Sequence, residues 1–175
     1  MTPEEHQRAA KALFQAEATG RQIGLLSLAY PGMTLDDAYG VQAALVALKR
    51  AAGRRGIGWK IGLTSRAMQE ALKIDTPDSG VLFDDMLFAD GCTIAAGRFI
   101  QPRIEAEIAF LMRAPLVGAG VTREDVLAAT EAVAPALEIL DTRILRADPA
   151  TGRARIITDT VSDNAANAGI VLGDQ

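Results

Sequence analysis

The chain has 175 residues, 49% of them hydrophobic and 23% charged, with a formal net charge of −4. That length can enclose one real core or a small domain beside a larger one, and the acidic balance argues against nucleic acid as a partner. Cys92 is the only cysteine and His6, in a polar N-terminal stretch, the only histidine, which excludes an internal disulfide, a CxxC redox pair and a thiolate zinc cage and argues against a Ser-His-Asp or Cys-His arrangement within the chain.

Any metal would therefore be held mainly by oxygen, which points to a hard cation such as Mg²⁺, Mn²⁺ or Ca²⁺. The opening MTPEEHQRAAK is polar and lacks the apolar centre of a signal peptide. No apolar run approaches a bilayer span. The expectation is a cytosolic protein with no membrane contact.

In chain order, Thr2 followed by Glu5 predicts a capping box opening a helix through about Ala18. Thr34-Leu-Asp-Asp opens a second helix, AYGVQAALVALKRAAG, with Gly53 as its stop. GIGWKIGLTS then reads as a glycine-flanked strand, followed by a short helix SRAMQEALKI capped by Ser65. PDSGVLFDDMLFADG alternates turn formers with short strand-like pieces. FIQPRIEAEIAFLM is the strongest strand candidate, TREDVLAATEAV a helix capped by Thr122, and PALEILDTRI another strand. The tail RIITDTVSDNAANAGIVLG reads as a β-branched run, a polar elbow and a final apolar strand. The fold class expected is mixed α+β, a small helical part over residues 1–55 on a larger part over 56–175. No repeat or low-complexity segment interrupts it.

The glycines of GRRGIGWKIG miss the GxGxxG spacing by one place and there is no GxxxxGK[ST], so turns and close backbone approach account for them. Glu105 and Glu107 are more demanding. On a strand their carboxylates share a face roughly 7 Å apart, and in a partly buried site they repel by roughly 2–3 kcal/mol. Water on a half-solvated strand or a cation would offset that. Glu138 sits in VAPALEIL, apolar on both strand faces, where a lone carboxylate needs protonation, a hydrogen bond or a metal. Asp141, of opposite strand parity, competes with it for a place beside that pair. Lys60, between Trp59 and Ile61, is either an edge lysine or a proton donor beside a carboxylate cluster. Asp78, Asp84 and Asp85 read most simply as turn residues. Ser162, Asp163 and Asn164 form a polar turn or an elbow facing substrate.

Taken together and in this order, GWKIGLTSRAMQ, PDSGVLFDDM, FIQPRIEAEIAF, PALEILDTRI and DTVSDNAANAGIVLG resemble the hydratase/decarboxylase branch of the fumarylacetoacetate hydrolase superfamily. The resemblance covers most of the chain from about Gly56. It implies a β-rich fumarylacetoacetase-like fold, which in the family continues through further strands beyond GIVLG, so that fold is expected to be incomplete at the C-terminal end here. It implies that Glu105, Glu107 and Glu138 hold Mg²⁺ or Mn²⁺, that Lys60 and Asp78 sit beside the substrate as catalytic groups, and that Ser162 and Asn164 face it. The activity implied is hydration of a 2-hydroxy-2,4-dienoate or 2-oxo-4-enoate in aromatic catabolism. RADPATGRARIITDTVSDNAANAG favours a seven-carbon dioate, whose second carboxylate would meet Arg143 or Arg103. The alternatives are decarboxylation of a vinylogous 2-oxo acid and a non-catalytic partner or structural domain. The family also implies a homo-oligomer and association with a decarboxylase. Members that hydrolyse C–C bonds use a His-Glu pair, for which this chain has no candidate histidine.

Overall fold

The computed structural model describes residues 1–72 and 76–174, so Lys73 and Ile74 at the end of the expected SRAMQEALKI helix lie outside the described residues. Helix α1 spans Pro3–Thr19, with Thr2 and Glu5 closing the capping box and Gly20 ending it at φ +66°. A short helix α2, Leu26–Ala29, follows; the sequence pattern did not anticipate it. Helix α3, Leu35–Ala51, starts from a second capping box between Thr34 and Asp37. Each box satisfies N–H groups that a helix start leaves open. The inner faces of α1 and α3 enclose Ala9, Ala10, Leu13, Val41, Ala44 and Leu45, together with Leu25, Leu26 and Ile144. Each large side chain there contributes about 1.5–3 kcal/mol of burial. Ile144 is drawn in by a parallel bridge to Ile23.

Strand β1, Gly56–Gly62, pairs antiparallel with β2, Asp78–Phe83, while α4, Arg66–Leu72, lies between them in sequence. The second sheet has the order β3-β6-β5-β4, with β3 Leu87–Phe88, β4 Arg103–Met112, β5 Thr130–Leu140 and β6 Asn167–Leu172. Strand β4 is an edge. Its side chains Ile104, Ile108 and Phe110 are 62%, 66% and 54% exposed.

Two expectations are corrected. The helix capped by Thr122 (α5) runs only over Arg123–Ala129, because Thr130 turns extended and TEAV joins β5. Its β-branched Thr130 and Val133 pair with Met112 and Phe110 in the ladder to β4. The run ITDTVS, read as β-branched, is helix α6, Ile157–Ser162. There Asp159 accepts from the Ile156 N–H and from the N–H and hydroxyl of Ser27, and this tertiary anchor overrides propensity.

Buried polar side chains tie these elements together. The Gln42 amide of α3 donates to the carbonyls of Ser79 on β2 (2.7 Å) and Val161 on α6 (3.0 Å). Arg143 pairs with Asp163 at 2.6 Å and also donates to the carbonyls of Asp163 and Asn167. Beneath α1, Glu17 bridges Lys49 and Arg54. Burial works against its charge, yet Lys49, Arg143 and Arg54 hold the Glu17 carboxyl down at about 2. Gln42→Leu would leave two inward carbonyls without this donor. We expect a loss of about 1–3 kcal/mol, read as a lower urea midpoint at unchanged slope.

Candidate metal centre

Strand pleating and register assemble the site. Glu105 and Glu107 are two apart on β4 and share a face, and the antiparallel ladder sets Glu138 of β5 directly opposite Glu105. Carboxylate oxygens of Glu105, Glu107 and Glu138 all lie within 4.8 Å of one another. Glu105 and Glu107 are exposed, whereas Glu138 is 5% exposed and its Oε1 has no hydrogen-bond partner. Burial pushes Glu138 up to about 7; Lys60 pulls it down, and Glu105, Glu107 and Asp78 add to the rise. A buried oxygen without a donor, facing two further carboxylates, fits a hard divalent cation held by oxygen. The chain therefore carries an acidic group suited to a divalent metal.

Asp141 does not join this group. Its oxygens accept from the N–H groups of Ile100 (2.9 Å) and Gln101 (2.7 Å), fixing the chain just before β4. It lies past the end of β5, and its oxygens are not among those grouped with Glu105 and Glu107.

The β1–β2 ribbon supplies the cationic wall. Lys60 Nζ lies 3.9 Å from Glu138 Oε1 and 3.7 Å from Asp78 Oδ1, and donates to the carbonyl of Ala165 at 3.3 Å. Asp78 is buried and its Oδ1, like the buried Ser162 Oγ, has no hydrogen-bond partner. Asn164 is turned inward. Its Oδ1 accepts from the Val81 N–H (2.8 Å) and its Nδ2 donates to the Val81 carbonyl (2.9 Å), as a neighbouring strand would. Arg103 is exposed on the carboxylate face of β4, while Arg143 is committed to Asp163. Asp84 accepts from Arg55, and Asp85 pairs with Arg54 and Arg98.

Three features were not legible as parts of a site. Asn164, Ala165 and Ala166 stand consecutively in the left-handed region at φ +53°, +54° and +57°, a conformation costing roughly 1–2 kcal/mol per residue. Gly80 faces Lys60 across the ribbon, and a Cβ there would strike the backbone carbonyl of Asn164. At Gly62, a Cβ would collide with Asp78 Oδ1 and sit 2.6 Å from Lys60 Nζ. Bare positions two residues along from the lysine and directly across from it were the available signal.

Known proteins share this arrangement of elements. No family model matches the chain. It is 52% identical over 168 residues to the 2-oxo-hept-4-ene-1,7-dioate hydratase of Escherichia coli, covering 96% of this chain and 63% of that protein. It is 41% identical over 164 residues to the 2-hydroxypent-2,4-dienoate hydratase of Pseudomonas putida, covering 93% of this chain and 71% of the relative. The structure superimposes, with a TM-score of 0.90 and 33% identity, on the 4-oxalocrotonate decarboxylase from Pseudomonas putida G7 complexed with magnesium and adipate, covering 100% of this chain and 64% of that one. With motif order, fold and relatives in agreement, the chain belongs to the hydratase/decarboxylase branch of the fumarylacetoacetate hydrolase superfamily.

Proposed function

We propose that this chain is the metal-binding and catalytic part of a hydro-lyase that adds water to a 2-hydroxy-2,4-dienoate or its 2-oxo-4-enoate tautomer. The observation that carries the reading is the buried, partnerless Glu138 oxygen beside Glu105, Glu107 and Lys60. Identity to a seven-carbon dioate hydratase favours 2-oxo-hept-4-ene-1,7-dioate as the substrate. The chain spans 63% of that relative.

Glu105, Glu107 and Glu138 would hold Mg²⁺ or Mn²⁺, which when bound supplies Lewis acidity and fixed positive charge for a 2-oxo acid. The chain's own groups move the protons. Asp78, buried with an open Oδ1, takes the proton of the incoming water. Lys60, 3.7 Å away, relays a proton to the substrate and counters negative charge developing on it. The enol proton of the dienoate (a C3 proton in the 2-oxo-4-enoate) leaves as C5 is protonated, giving the conjugated 2-oxo-3-enoate; the hydroxyl of water then bonds to C4 and a proton ends on C3. Ser162, its hydroxyl buried and open, offers the substrate a polar contact, and Arg103 on the carboxylate face suits a second carboxylate.

Decarboxylation is the second reading, favoured by the 0.90 TM-score to a decarboxylase. Apolar side chains exposed on β4 and β5, Ile104, Ile108, Phe110 and Leu137, support association into a homo-oligomer or with a decarboxylase. Among the described residues no helix is long and apolar enough to cross a membrane.

Glu105→Gln and Glu107→Gln should each weaken Mg²⁺ binding and turnover by more than the roughly 10–100-fold typical of outer-shell partners, with hydroxy acid rather than CO₂ as the wild-type product. Unchanged turnover in both variants rejects the site, and CO₂ as the product selects the second reading. Gly62→Ala, which drives a methyl into Asp78 and Lys60, should cut turnover about 100-fold while calorimetric Mg²⁺ affinity stays near wild type. The pH dependence follows from Glu138. Its folded value, raised from 4.5 to about 7, means that the Glu138 contribution to metal-free stability is fully present below pH 4.5 and is lost as pH rises through 7. Ion binding needs the carboxylate, so Mg²⁺ affinity should fall about tenfold per unit below pH 7, with close to one proton released at pH 6.

A further inference from the structure

Lys60 is a long, flexible side chain, yet its one hydrogen bond among the described contacts goes to a backbone carbonyl, that of Ala165 at 3.3 Å. The two carboxylates are farther off, at 3.7 and 3.9 Å. The Ala165 carbonyl points at the lysine because residues 164–166 run left-handed without a glycine among them. Such a turn persists only where its surroundings over-determine it.

Those surroundings are explicit. Asn164 grips both backbone groups of Val81, and Asn167 Nδ2 donates to the same Val81 carbonyl at 3.0 Å. The Ala166 N–H donates to the Asp163 carbonyl at 3.0 Å, and the Ala166 carbonyl accepts from the Asp141 N–H at 2.8 Å. Arg143 holds the carbonyls of Asp163 and Asn167 on either side. Gly80, lacking a Cβ, lets the Asn164 backbone lie against β2.

We infer that Asn164 is a positioning residue: by clamping the left-handed turn to Val81 it fixes the Ala165 carbonyl, which holds the Lys60 ammonium between Asp78 and Glu138. This rests on the hydro-lyase reading for its consequence in turnover, but not for the contact itself. Asn164 thereby acts through Lys60 rather than by touching substrate. A misplacement of about 1 Å in a catalytic group can cost about 100-fold in rate, so the clamp sets kcat rather than KM.

The contact is tested first on the unmutated, metal-free protein. With ¹⁵N-lysine labelling the chain's lysines are few enough to resolve, and the Lys60 resonance is identified by its loss in Lys60→Arg. Labelling the alanine carbonyl carbons as well should reveal a coupling across the hydrogen bond from Lys60 Nζ to Ala165. Its absence overturns the proposal whatever the enzyme does. In Asn164→Ala we expect the Lys60 ammonium signal to broaden into solvent exchange, kcat to drop about 10–100-fold, and KM and Mg²⁺ affinity to stay near wild type. A KM rise at constant kcat would make Asn164 a substrate contact instead. An ordered Lys60 signal in the folded variant would likewise refute the clamp. If Asn164→Ala does not fold, the coupling measurement alone decides. A coupling present in a protein without hydratase activity would uphold the contact and reject only the hydro-lyase reading.

Discussion

Three carboxylates from two paired strands crowd together with the Lys60 ammonium beside them, and the site is organised around that imbalance. Glu105, Glu107 and Glu138 are brought within 4.8 Å by pairing register alone. Lys60 answers part of the charge, and Asp78 draws on the same lysine from the other side. The fold pins this arrangement from behind rather than relaxing it. An arrangement that is costly empty suits a divalent cation, because the fold already meets the cost of gathering the charges.

The pinning comes from the segment that runs from α6 to the start of β6. Asp159 fastens Ser27 of α2, Asp163 fastens Arg143, and Asn164 and Asn167 fasten Val81. These residues are almost wholly buried and polar, so each must find a partner inside the protein. Strand β2 and the chain leaving β5 are thereby attached to this stretch.

Much of the frame was legible because it obeys short-range rules. Thr2, Thr34 and Thr122 announce helices whose capping boxes all form. Glu105 and Glu107 fall on one face because strands alternate. The tertiary ties were not legible. ITDTVS carries β-branched residues yet is helical, since Asp159 finds Ser27, 132 residues earlier in the chain. Asn164 reads in sequence as part of a polar turn or an elbow facing substrate, and no local rule foretells an amide completing a distant strand. Glu138 and Asp141 read alike in sequence; the fold sets Glu138 beside Glu105 and Glu107 and gives Asp141 to Ile100 and Gln101.

Gln42 gives the helical segment a part in the site that its apolar packing alone would not. One amide nitrogen reads two carbonyls, one on the ribbon that carries Lys60 and one on the helix that leads into the left-handed turn. Helix α3 thus serves as a gauge block between two walls. Slippage by a single turn, about 5.4 Å, would break both contacts at once, so the spacing between those two walls is measured from a helix that stands outside them.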